Sequence, residues 1–128
     1  MKYFLIFFIA LPLFSQSTPE QIVEKSLEAY NNRDLDLFMS YFSEDIKMYD
    51  FNGNITAQGF DNVKMLYKGL FDSSPKLHSK ILNRTIIGNK VIDHEYITGR
   101  RGSDEAIEIV FIYVVENEKI VKTMLIKP

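Results

Sequence analysis

The chain has 128 residues, 46% of them apolar and 25% charged, which favours one globular domain and excludes a disordered chain. It has no Cys, which rules out a disulfide scaffold, a thiolate zinc site, an iron–sulfur cluster and a Cys nucleophile. Its 15 Lys and Arg against 17 Asp and Glu leave a net charge of −2, the wrong sign for a nucleic-acid binder, so no nucleic-acid partner is expected.

Met1-Lys2 is a short positive start, and Tyr3 to Phe14 is an apolar run broken in type only by Pro12. As a helix the run would reach about 18 Å, well short of the ~30 Å hydrocarbon core. An apolar run of this length followed by small residues fits a secretion signal, with a membrane-tethering helix as the competing reading. Ser15-Gln16-Ser17 offers cleavage after Ser17, and cleavage after Ser15 is the alternative. The expectation is a signal peptide over 1–17 and a single domain over 18–128, secreted or periplasmic, with no stable membrane insertion after the signal is removed. No Cys stands at the cleavage site to carry a lipid anchor. A small exported domain without disulfides must rely on core packing or on an oligomer. The sequons at Asn54-Ile55-Thr56 and Asn83-Arg84-Thr85 matter only on a eukaryotic secretory route.

Thr18-Pro19-Glu20-Gln21 starts the first helix: Thr18 caps, Pro19 suits the first turn and Gln21 completes a capping box. Ile22, Val23, Leu27 and Tyr30 form its apolar stripe. Asn31-Asn32-Arg33 breaks it, and Asp34 caps a second helix with the stripe Leu35, Phe38, Met39 and Phe42. Ile46 to Phe51 reads as a short strand and Asn52-Gly53-Asn54 as a tight turn. Phe60 to Phe71 is a third helix, ended by Ser73-Ser74-Pro75. The period then becomes two, with strands over 76–87, 91–98, 106–115 and 119–127. Gly88-Asn89, the polar loop Gly99 to Ser103 and Glu116-Asn117-Glu118 separate them. Helices segregated against one sheet make an α+β layout.

This order, with three local signatures, resembles the NTF2-like superfamily in its SnoaL-like or ketosteroid-isomerase-like branch. The signatures are Tyr30-Asn31-Asn32-Arg33-Asp34-Leu35-Asp36, Tyr41-Phe42-Ser43-Glu44-Asp45-Ile46-Lys47-Met48-Tyr49-Asp50 and Val115-Glu116-Asn117-Glu118-Lys119-Ile120-Val121. The resemblance spans 18–127. It implies a cystatin-like cone, with three N-terminal helices packed on a curved, mostly antiparallel sheet around an apolar cavity open at one end. It also implies a homodimer made through the sheet. The superfamily holds isomerases, cyclases, dehydratases, hydrolases and binding modules, so fold alone does not name a function.

The resemblance places Asp50 where ketosteroid isomerases keep a general base. Such a base needs acidic partners for the enolate oxygen. The oxyanion Tyr position is Ser26 here, and the protonated-Asp position falls near Val110, although Tyr67 matches a supporting Tyr. Steroid isomerisation is therefore not expected. Asp50 is read either as a cavity base or as an exposed residue before the Asn-Gly turn. Strand alternation puts Ile92, His94, Tyr96 and Thr98 on one face, which the resemblance turns into the cavity. Asp93 and Glu95 then point away, so Asp93-His94-Glu95 cannot be three ligands of one metal. No metal and no cofactor is expected. His94 is read as an acid–base partner of Asp50 or as a hydrogen-bonded wall residue. Tyr30, Phe38, Tyr67, Ile92, Tyr96, Val110 and Ile112 are the expected ligand contacts, the aromatic ones serving equally well as core. Arg100-Arg101, in a hairpin loop flanked by Gly, is read as solvated loop charge rather than an anion clamp. The expected function is binding of a small hydrophobic molecule. An isomerase-, cyclase- or dehydratase-type enzyme using Asp50 and His94 is the alternative.

Overall fold

The structure, a computed structural model, describes residues 2–11 and 15–128. Residues 2–11 form no helix or strand and are exposed. Among the described residues no helix is long and apolar enough to cross a membrane. The expected signal falls partly on residues 1 and 12–14, which lie outside the described residues.

α1 (Pro19–Asn31) begins with the expected capping box. The Gln21 N–H donates to the Thr18 hydroxyl at 3.2 Å, and the Thr18 N–H donates to Gln21 Oε1 at 2.9 Å. The break after it is held by tertiary contacts. Asn31 Nδ2 donates to the Ser79 carbonyl at 3.0 Å while Asn31 Oδ1 accepts from the Ser79 N–H at 2.8 Å, so one amide imitates a neighbouring strand. Arg33, at a positive φ of 52°, donates to the Leu77 carbonyl at 3.0 Å. Asp34 then caps α2 (Leu35–Ser40), accepting from the Leu37 N–H at 3.2 Å.

Phe42, expected on the stripe of α2, opens β1 (Phe42–Asp50) instead. It pairs with Ile120, and the Ile120 N–H donates to the Tyr41 carbonyl at 2.8 Å, so strand pairing outweighs helical spacing. Its ring stays in the core, 4.8 Å from Phe38. β2 (Ile55–Gln58), α3 (Phe60–Asp72), β3 (His78–Ile87), β4 (Lys90–Thr98), a 3-10 turn at Arg100–Gly102, β5 (Ile107–Glu116) and β6 (Lys119–Ile126) complete the chain. The strands form one sheet in the order β2-β1-β6-β5-β4-β3, parallel at β1/β6 and antiparallel elsewhere. The sheet is curved and the three helices cover one face, the α+β cone expected from the sequence. Between them lies an aromatic core in which Phe38 sits 4.6 Å from Tyr67 and Tyr30 sits 5.5 Å from Phe71, the tilted and edge-on contacts rings prefer.

One expectation is reversed. β4 alternates as expected, but Val91, Asp93, Glu95 and Ile97 face the helices and are buried. Register pairs His94 with Val110 and Ile92 with Ile112, so Ile92, His94, Tyr96, Val110 and Ile112 all lie on the outer face. Both faces of β5 are apolar, so apolarity does not choose between them. The inward Asp93 is tolerated because β3 carries a bulge between Ile81 and Asn83. The extra residue turns Arg84 to the inner side, directly opposite Asp93.

Candidate functional site

An open cavity of about 590 Å³ lies between the helices and the inner face of the sheet. α1 contributes Tyr30, and α3 contributes Leu66, Tyr67 and Leu70. Ile97 from β4, Ile107, Ile109 and Phe111 from β5, and Leu125 from β6 complete an apolar wall. Asp50, Phe51 and Asn52 from the β1–β2 turn stand at the rim, together with Arg100, Arg101 and Lys127.

Of the sequence-derived candidates, Tyr30, Tyr67 and Asp50 line this space. Phe38 belongs to the aromatic core behind Tyr67 rather than to the wall. Ile92, Tyr96, Val110 and Ile112 are on the far side of the sheet, and Tyr96 is 39% exposed. His94 is there too, its Nε2 3.1 Å from Glu108 Oε2. The sheet therefore separates His94 from Asp50, and the two do not form an acid–base pair. Asp93-His94-Glu95 is divided between faces, as strand alternation requires.

Asp50 is engaged in its own turn. Its carboxylate accepts from the Asn54 N–H at 2.9 Å and from Asn54 Nδ2 at 3.2 Å. The Asn54 backbone bond, with the bonds of Asn54 Nδ2 and the neighbouring N–H groups, holds its carboxyl below the usual carboxylate range. The Tyr67 and Tyr30 hydroxyls have no hydrogen-bond partner among the described residues. Burial raises both phenols well above 10; Tyr30 adds to this at Tyr67, Glu95 once ionised adds to it at both, and Arg100 opposes it at each. Both remain neutral donors.

Beside the cavity, on the inner face of β4, lies a polar network. Asp93 is fully buried and accepts a fork from Arg84, from Nε at 2.7 Å and from Nη2 at 2.9 Å. Arg84 also donates to Glu24 at 2.6 Å. Glu95 is 3% exposed and accepts from the Tyr113 hydroxyl at 3.4 Å. Burial first, then the Asp93 charge, pushes its carboxyl up to about 8, so Glu95 is protonated at neutral pH.

A family model for the SnoaL-like domain matches residues 23–123. The chain belongs to the SnoaL-like domain family. None of the curated proteins matches it. The SnoaL-like chain is similar to a cystatin-fold protein from Novosphingobium aromaticivorans, at 22% identity and a TM-score of 0.80, covering 88% of this chain and 100% of that one. It is also similar to an NTF2-like protein from Cytophaga hutchinsonii, at 16% identity and a TM-score of 0.74, covering 89% and 93%. A third similar structure is a ketosteroid isomerase-like fold from Catenulispora acidiphila in complex with trimethylamine, at 18% identity and a TM-score of 0.70, covering 85% of each chain. At these identities the likeness is one of fold.

Sequence reasoning about this SnoaL-like domain missed Glu95, Arg84 and Lys127, and it did not place the loop charges Arg100 and Arg101, which are half-buried and exposed respectively, at the cavity. One signal bore on the face assignment. Glu108 and Glu116 share parity with Val110 and Ile112 and are exposed, which marks that side of β5 as outward. No comparable signal placed Lys127 or the two arginines at the cavity mouth.

Proposed function

We propose that this SnoaL-like domain is an exported binding module that holds a small, mostly apolar molecule in its cavity. The observation that carries this reading is the cavity itself: about 590 Å³, open to solvent, apolar over most of its wall, with two unpartnered phenols. That is the composition of a small-molecule site. An acid–base enzyme built on Asp50 and His94 is disfavoured, because His94 is on the other face and Asp50 is held by Asn54. The trimethylamine of the Catenulispora protein supports the capacity of such a fold to host a small organic molecule and says nothing of which one belongs here. Export rests on Met1-Lys2, the apolar run and the small residues before Thr18.

The outer face of the sheet carries Ile92, Val110, Ile112, Val114, Met124 and Ile126 on adjoining strands. A homodimer through this face would cover them. The binding reading is tested by native mass spectrometry of the purified protein and thermal-shift screening against lipids, steroids and polyketides. Co-purified ligand or a saturable rise in melting temperature is expected. A protein that arrives empty and binds none of the panel would refute it.

A further inference from the structure

We propose that the cavity is built for an organic acid: a molecule with an apolar body and a carboxylate head, the head lying at the Arg100–Arg101 side of the mouth. This rests on the binding reading above and narrows it to one charge class.

The mouth carries a local charge opposite to that of the chain. The protein as a whole is at −2, yet three cations, Arg100, Arg101 and Lys127, stand at this opening against one carboxylate, Asp50. Asp50 is occupied, with both oxygens accepting from Asn54. The three cations make no ion pair among the described residues, whereas Lys64, Lys68 and Arg84 all do. Unpaired surface cations are ordinary, but here the backbone that carries the two arginines is anchored. Gly99, at a φ of 71°, passes so close to the preceding loop that a Cβ would lie 2.1 Å from the Lys76 carbonyl oxygen. Arg101 holds a left-handed φ of 51°, and its N–H donates to the Oγ of fully buried Ser74 at 2.8 Å. The backbone that carries both guanidinium groups is thus tied to the loop between α3 and β3, beside the cavity.

Inside, the free hydrogen-bonding groups are two phenol hydroxyls, each with a proton to donate. Tyr67 is 7% exposed and lines the cavity with an unpartnered hydroxyl, and Tyr30 stands beside it in the same condition. Glu95 when ionised and Arg100 both act on the two phenols, and burial keeps Glu95 protonated at neutral pH. A neutral hydrocarbon would leave these hydroxyls unpaired, and a cationic ligand would meet like charge. A carboxylate matches the planar fork of a guanidinium and is also a good acceptor for a phenol. Leu66, Leu70, Ile107, Ile109 and Phe111 offer the body only apolar contact.

Two matched trios test the proposal: decanoate, decanol and decyltrimethylammonium, and naphthylacetate, naphthylethanol and naphthylethylammonium. Binding is measured calorimetrically near neutral pH on the full chain, on R100Q/R101Q and on K127Q. At least one acid is expected to bind roughly tenfold tighter than its alcohol and to weaken with added salt. R100Q/R101Q is expected to lose about tenfold for that acid and nothing for the alcohol, and K127Q about threefold for the acid. Neither arginine side chain has a hydrogen-bond or ion-pair partner among the described residues, so R100Q/R101Q should melt with the wild type. If it does not, K127Q gives the same comparison. Equal affinity for acid and alcohol, a preference for the ammonium, or a selectivity unchanged by the substitutions overturns the organic-acid inference while leaving the binding reading intact. Binding of no probe removes both.

Discussion

Glu95→Gln isolates one buried proton. The Glu95 carboxyl is 3% exposed, and burial, followed by the Asp93 charge, raises it from 4.5 to about 8. The folded protein therefore keeps a proton that the unfolded chain releases above about pH 4.5, and stability falls as pH rises between those two values. The contribution is full below about pH 4.5 and is lost by about pH 8. Each pH unit in that window costs about 1.4 kcal/mol, so from about pH 5 to about pH 7.5 the fold loses on the order of 3 kcal/mol. For a domain of this size that lowers the melting temperature by roughly 10 °C. The other groups with shifted values act elsewhere: Asp50 is lowered and matters in acid, while Tyr30, Tyr67, Tyr113 and Arg84 are raised and matter in strong base. Gln copies the protonated carboxyl in shape and can still accept from the Tyr113 hydroxyl. E95Q should therefore show a much flatter profile over this window and outlast the wild type at about pH 8. The assay is urea unfolding or calorimetry at stepped pH on both proteins. A wild-type stability that is flat or rising over the window, or an E95Q slope parallel to it, would refute the reasoning.

Three further outcomes are expected. Arg84→Met leaves the fully buried Asp93 without its ion pair and should cost about 3–5 kcal/mol in urea unfolding, much of it recovered in R84M/D93N. Gly99→Ala drives a Cβ into the Lys76 carbonyl at a positive φ and should cost about 2–4 kcal/mol, against about 1 kcal/mol for Gly53→Ala, where nothing lies within 4 Å. Ile112→Glu puts a charge in the middle of the proposed dimer face. It should convert a dimer to a monomer in light scattering and leave decanoate affinity unchanged, since Ile112 points away from the cavity.

Much of the fold was legible because local chemistry and tertiary demand agree. The capping box at Thr18 and the Asp34 cap act within a turn of their own residues, so their sequence signatures are sufficient. Phe42 is where they disagree. Its spacing suits α2, but the bond from Ile120 to Tyr41 closes across most of the chain and no local pattern announces it. The bulge before Asn83 is of the same kind. It exists to bring Arg84 opposite Asp93, and the sequence shows only an arginine and an aspartate on two different strands.

The site was less legible than the fold, and the reason is strand register. β5 and β6 are joined through Asn117-Glu118, both at positive φ, a two-residue turn that fixes Glu116 opposite Lys119 and so sets every later pair up to the bulge. β4 and β5 are joined by the long loop from Gly99 to Ala106, which fixes no register. A slip of one residue there exchanges the two faces of β4, and nothing apolar resists the exchange, since β5 is hydrophobic on both sides. The choice falls to the charges. His94 can reach Glu108 only on the outer face, while Asp93 finds Arg84 and Glu95 keeps its proton on the inner one. Sequence reasoning that sends carboxylates to solvent and a histidine to the cavity takes the commoner arrangement and inverts this one. The same loop carries Arg100 and Arg101. Its anchoring by Gly99 against Lys76 and by Arg101 on Ser74 is therefore what turns two apparently solvated charges into the mouth of the cavity.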